Sequence, residues 1–275
     1  MKEEAYYWPL WTSYLLSPRE QSKIKKMIRR LQRAQTHLWR ALNIYDDFYD
    51  GEGIKSELPQ ANSYYHKYLE TYYSLNLPKK YYQLFNKTFA NLNKANRDEI
   101  LQPKIKISND NIIISKFLPN PKPLIRLCDK SLALALGPIA LLAILKYKMD
   151  GIKIKSLLNF FKCALSAKQL SDDSHDWLED LNTGLVTSAN LPILKAIKKR
   201  HLKISIGKSS TMANLLFAQE SSPQIIANLE SLCGQARREM NKINTNQNNL
   251  LLTRLIKPLE NACREAKNFQ LLISH

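Results

Sequence analysis

An all-α fold is what this chain predicts, and three observations predict it. Glycine is scarce, 7 of 275 residues, whereas turn-rich and strand-rich folds draw heavily on it. Apolar residues recur at helical spacing over long stretches free of Pro and Gly. Alternating β-branched residues are confined to one short segment, 104–115. Hydrophobic residues are 44% of the chain, enough for a packed core and too many for a wholly disordered protein. The expectation is one helical domain over 1–275 with roughly eight to ten helices and a small hairpin inserted near 104–115.

Each element follows from local signals. Ser17-Pro18-Arg19-Glu20 reads as a helix start: Ser17 caps, Pro18 suits the first turn, and Glu20 completes a capping box. Ile24, Met27, Ile28, Leu31, Leu38, Ala41 and Leu42 then keep helical period until Gly51. A Tyr-rich helix is predicted over 59–75. Another starts near Pro78 and carries Tyr82, Phe85, Phe89 and Leu92. In the hairpin, Lys104–Ile107 and Ile112–Ile114 flank Asn and Asp residues suited to a turn. Further helices are predicted over 122–147, with a kink at Gly137-Pro138, and over 153–182, 186–202, 210–220, 223–245 and 249–272.

The four Cys, at 128, 163, 233 and 263, form no C-x-x-C pair and are expected as thiols in a reducing cytoplasm. The acidic start, Met1-Lys2-Glu3-Glu4, lacks the order of a signal peptide. The most apolar run, 132–145, is shorter than the roughly 20 residues of a bilayer span. A net charge of +17 favours anionic partners, a membrane surface or nucleic acid. The basic runs Lys23–Arg33 and Lys195–Lys203 read first as solvated helix faces and next as a contact to an anionic membrane. No nucleic-acid motif is present, so nucleic acid is not the expected partner.

The acidic residues are uneven. Nine of the 24 lie in two windows: Asp46, Asp47, Asp50 and Glu52, then Asp172, Asp173, Asp176, Glu179 and Asp180. Neither window shows Lys or Arg at the spacing that would neutralise it; Lys168 and Arg40 only border them. Like charges four apart destabilise a helix. Asp46 and Asp50 share a helix face, as do Asp172 and Asp176, with Asp180 one turn on. A divalent cation is the natural compensation, because hard cations take carboxylate oxygens. A pair of solvated helix ends is the alternative.

The stretch from Ala41 to Asp50, ending Asp46-Asp47-Phe48-Tyr49-Asp50, resembles the first aspartate-rich motif of the class I isoprenoid synthases, the trans-prenyltransferase superfamily. Gln169-Leu170-Ser171-Asp172-Asp173-Ser174-His175-Asp176 resembles the second. Lys130-Ser131, followed by an expected apolar helix with Gly137, resembles the segment that holds the substrate diphosphate. The second motif also resembles the squalene and phytoene synthase branch through Asp176-Trp177-Leu178-Glu179-Asp180 and Gly184, as does Arg40-Ala41-Leu42. The likeness covers roughly residues 20–200. Departures are specific. Gly51-Glu52-Gly53-Ile54-Lys55-Ser56 stands where chain-elongating members carry Arg-Arg-Gly. No G-K-x-x-R segment is found, though Lys25, Lys26, Arg29 and Arg30 supply cations near the N-terminus. Gly184-Leu185 stands where a Gly-Lys is usual. These bear on isopentenyl diphosphate binding and leave ionisation of an allylic diphosphate intact.

The resemblance implies a helical bundle of the isoprenoid synthase type and a Mg²⁺-dependent prenyltransferase that ionises an allylic prenyl diphosphate and transfers or couples the prenyl group. A class I terpene cyclase is the alternative, and a non-enzymatic basic helical protein the outside one. Mg²⁺, three ions with substrate bound, would be held by Asp46, Asp50, Asp172, Asp176 and Asp180, with Asp47 and Asp173 as alternates beside them in the catalytic set. Arg126, Lys130, Ser131 and Gln169 would meet the diphosphate. Phe85, Phe89, Phe160 and Phe161 are candidate walls of an apolar prenyl chamber, with plain core as the competing reading; His175, between aspartates, reads as a structural or solvent-facing residue, with a proton role as the alternative. In the family, a bulky side chain at the positions of Ala41 and Leu42 closes the chamber floor. With Ala41 small and Leu42 moderate, the floor is expected open to chains of about fifteen carbons or more, His37 and Leu38 being the next stop one turn deeper. Expected partners are the prenyl diphosphate, a peripheral membrane contact through the basic helices, and a second copy of the chain; expected location is the cytoplasm.

Overall fold

The fold is all-α with one small hairpin. The computed structural model describes residues 3–49, 51–102, 105–108, 111–114, 118–120, 122–202, 204, 211–243 and 249–273. Among them run α1 (Trp8–Ser13), α2 (Pro18–Tyr49), α3 (Leu58–Tyr73), α4 (Lys79–Ile100), α5 (Leu136–Ile144), α6 (Ile152–His175), α7 (Trp177–Asn182), α8 (Leu191–Arg200), α9 (Thr211–Leu216), α10 (Ser222–Asn241) and α11 (Lys257–Ile273). Strands β1 (Lys106–Ser108) and β2 (Asn111–Ile113) pair antiparallel, Ile107 opposite Ile112. The four cysteines are buried and form no disulfide. Among the described residues no single helix is long and apolar enough to cross a membrane.

The chain packs as two compact units that interleave in sequence. The first holds 1–100, 129–161 and 237–255. Its spine is α2, whose start is the predicted capping box: the Ser17 backbone N–H donates to Glu20 at 2.9 Å, and the Glu20 N–H to Ser17 Oγ at 3.4 Å. The inward face of α2 buries Ile24, Leu31, Ala34, Leu38 and Ala41. Along α3 and α4 the aromatic period builds a stack: Tyr68 lies 5.8 Å from both Phe85 and Phe89, and Phe85 lies 4.9 Å from Phe89. Burial pushes the phenols of Tyr68, Tyr72 and Tyr81 well up. Tyr81 spends its hydroxyl on the Leu136 carbonyl, at 3.0 Å.

The second unit holds 101–128, 162–236 and 256–275. Leu165, Ala167, Leu170, Leu181, Ile193 and Leu194 form its core with Ile226 and Leu232 of α10. The hairpin is fastened by backbone bonds, Ile105 N–H to the Gly184 carbonyl at 2.9 Å and Ile112 N–H to the Ile204 carbonyl at 3.2 Å.

Three expectations need correction. The stretch 122–147 is not one kinked helix. It runs as two 3₁₀ segments, Leu124–Lys130 and Leu132–Ala135, before α5. Pro138 sits in the first turn of α5, where a missing N–H costs nothing. The Gly137-Pro138 pair therefore starts the helix. At Gly137 a Cβ would stand 3.2 Å from both the Gln35 side chain and Pro9, and Gln35 donates to the Leu134 carbonyl beside it. Second, 153–182 divides at Asp176, which leaves helical geometry (φ −95°, ψ 7°) between α6 and α7. Third, eleven α-helices are present among the described residues rather than eight to ten, because that division and the short α1, ahead of the predicted start at Ser17, raise the number.

Candidate metal and diphosphate site

The first acidic run ends α2. Gly51 (φ +83°) takes the left-handed position that stops the helix. The Gly51 N–H bonds the Phe48 carbonyl at 3.3 Å, and the Glu52 N–H bonds the Asp47 carbonyl at 2.9 Å. This is a Schellman close, and it fixes Asp46 and Asp47 in the last turn of a 32-residue helix. Asp46 is half-buried and Asp47 exposed. Asp50 lies outside the described residues. The negative end of the helix dipole disfavours carboxylates in the last turn. Among the described residues no side chain is hydrogen-bonded or ion-paired to Asp46 or Asp47.

The second run spans the α6–α7 junction. Asp172 and Asp173, both half-buried, occupy the last turns of α6. Lys168, four residues before Asp172, forms an ion pair with it. This corrects the reading that Lys168 only borders the cluster. The i,i+4 spacing was the signal. Gln169 donates to Asp173 at 2.8 Å, so its amide serves a cluster carboxylate. Asp176 is exposed at the N-cap position of α7 without a side-chain capping bond, and Glu179 and Asp180 stand in that helix's first turn. There the dipole favours acids. Among the described residues, the second run thus has structural compensation that Asp46 and Asp47 lack. His175 is exposed and turns Nδ1 to the Ser171 carbonyl at 2.6 Å.

Among the described residues, no three His, Cys, Asp or Glu side chains gather as a metal-binding group. Mg²⁺ typically takes only one or two carboxylates, completing its shell with water and substrate phosphate. The pairs at the ends of α2 and α6 fit that chemistry as donors.

The other predicted residues divide by unit. In the first, Lys130 pairs with Glu99 at the end of α4, each about a quarter exposed, and Ser131 is half-buried in the break between the 3₁₀ segments. Ala41 is fully buried, while Leu42 is partly open. Phe85 and Phe89 belong to the aromatic stack, and Phe160 and Phe161 are fully buried near Trp8, whose ring lies 5.1 Å from Phe161. In the second unit, Arg126 is exposed on the first 3₁₀ segment. Lys130 follows Arg126 by four positions at the end of the same 3₁₀ segment. At three residues per turn, positions four apart point about 120° away from each other.

No protein-family model matches the chain, and no curated protein matches its sequence.

Proposed function

We propose that the chain is a Mg²⁺-dependent enzyme of the isoprenoid synthase kind, ionising an allylic prenyl diphosphate and transferring or coupling the prenyl group. The observation that carries this reading is the end of α2. A terminal turn places Asp46 and Asp47 against the helix dipole without a compensating side chain among the described residues. Such a turn is costly to the apo-protein and suited to a cation. The resemblance in the sequence supplies the substrate class.

In this reading Asp46, Asp50, Asp172 and Asp176 hold Mg²⁺, with Asp47, Asp173 and Asp180 beside them. The ion, when bound, supplies charge neutralisation for a diphosphate leaving group. Lys168 and Gln169 hold Asp172 and Asp173 in place. Lys130 adds positive charge toward the diphosphate by exchanging its partner Glu99 for substrate oxygen. Apolar helices exclude water from the carbocation, which would otherwise be quenched.

Incubation with allylic diphosphates of several lengths, with and without isopentenyl diphosphate, tests this by product mass. Products that require isopentenyl diphosphate mark elongation; those formed without it mark head-to-head coupling or the cyclase alternative. A second reading, a non-enzymatic basic binding protein, is favoured by the Lys168–Asp172 and Lys130–Glu99 pairs, which give acidic residues structural roles. It expects no diphosphate release from any substrate.

A further inference from the structure

Lys26, Arg29, Arg30 and Arg33 sit at helical spacing on α2 and share one face of it. Lys67, on the neighbouring helix α3, completes with them the lining of a cleft of about 570 Å³. One carboxylate, Glu70, lines it as well, and that group is shared with His66 at 3.4 Å. Five cations against one acid, facing a concave space, repel one another. Arg30 is held in place by donating to Ser74, and Arg29 and Arg33 are exposed. At the inner end His37 lines the cleft, its ring stacked 5.8 Å from Tyr64. Its Nδ1 is buried with no hydrogen-bond partner among the described residues. Desolvation, then Lys67 and Arg40, lower its pKa, so the ring is neutral at neutral pH.

We propose that the cleft between α2 and α3 binds a compact polyphosphate, two or more phosphate groups held by the guanidinium forks of Arg29, Arg30 and Arg33 with Lys26 and Lys67. Guanidinium forks match phosphate oxygens two at a time. The volume is that of a small-ligand site, whereas a nucleic acid would need a longer surface. The site is separate from the diphosphate chemistry proposed above. Arg33 and Asp46 are 13 positions apart on α2, which at the helical rise is about 20 Å. The two sites therefore stand or fall separately.

The phosphates can belong to a free polyphosphate or to a lipid headgroup, and the test separates them. Calorimetry of the full chain with inorganic triphosphate, at roughly physiological salt, is run beside sedimentation with phosphatidylcholine vesicles, plain or carrying phosphatidylinositol bisphosphate. A saturable triphosphate site with no vesicle preference identifies the free ligand. Binding only to the phosphoinositide vesicles identifies the headgroup. In either case Arg29→Gln/Arg33→Gln and, separately, Lys67→Gln should weaken binding at least about tenfold. The double variant should also raise the melting temperature of the ligand-free protein, since it relieves repulsion, while losing the ligand-induced rise. A structural role for these side chains would give the opposite sign. No binding of either probe below ~1 mM, binding untouched by the variants, or tighter binding to duplex DNA with stoichiometry growing with its length would overturn the proposal.

Discussion

Two glycines decide where the first acidic turn lies, and they do so for different reasons. Gly51 needs its φ of +83°, yet nothing lies within 4 Å of a Cβ placed there. Gly53 is crowded instead: a Cβ would meet the Phe48 Cα at 2.5 Å and its backbone N at 2.7 Å. Gly51→Ala should therefore cost about 1 kcal/mol, the usual penalty for a side chain in the left-handed region. Gly53→Ala should cost more, because backbone has to move to admit it. Urea titration of both variants checks the order; equal losses would show that the reversal after α2 is looser than described. Glu20 gives a pH signature at the other end of the helix. Hydroxyls of Tyr147, at 2.5 Å, and Ser17, at 2.7 Å, hold its carboxyl down at about 2 from 4.5. A carboxylate lowered in the folded state contributes stability above its unfolded pKa and loses it as pH falls. The stability gap between wild type and Glu20→Gln should be full above pH 4.5 and close as the pH approaches about 2. A gap that stays constant across that window would remove the charge from the explanation.

At the scale of the element, α2 and α6 end in similar acidic turns with opposite consequences for stability. Asp46→Asn removes a carboxylate that opposes the dipole of α2 without a side-chain partner among the described residues, so the apo-protein should gain some tenths of a kcal/mol. Asp172→Asn also breaks the pair with Lys168, so that variant should gain nothing or lose a similar amount. Thermal melts without metal distinguish the two. Ala41 is a second test on α2. It is fully buried, so Ala41→Phe either fills an open prenyl floor and shortens the accepted chain by about one isoprene unit, or overpacks the bundle at roughly 1–3 kcal/mol. A stably folded variant with an unchanged product spectrum would show that no prenyl tail runs along this helix.

Across the whole molecule, what was legible in the sequence is what local chemistry determines. The start and stop of α2 were readable because a capping box and a left-handed glycine act within a few residues. The hairpin was readable from its alternation, and the all-helical class from the scarcity of glycine. The stretch 124–135 was not, because apolar residues carry no sign separating α from 3₁₀ winding. Division into two interleaved units was equally hidden, since α6 runs unbroken from residues of one into residues of the other. Of the acidic runs, the positions and helix-end setting were legible, whereas Lys168 was discounted as a border residue although its spacing placed it one turn from Asp172. The net charge of +17 pointed to anionic partners in general, and only the meeting of α2 with α3 shows where five of those cations converge.

The proposed chemistry is tested most directly by measuring diphosphate release from allylic diphosphates in the wild type, Asp46→Asn and Asp172→Asn, with Mg²⁺ and with excess chelator. Each variant removes a charge and almost no volume, so circular dichroism should show the helical fold unchanged. Release that requires Mg²⁺ in the wild type and falls by at least about a hundredfold in each variant is the expected result. Release undiminished in both variants, or indifferent to the chelator, would contradict it.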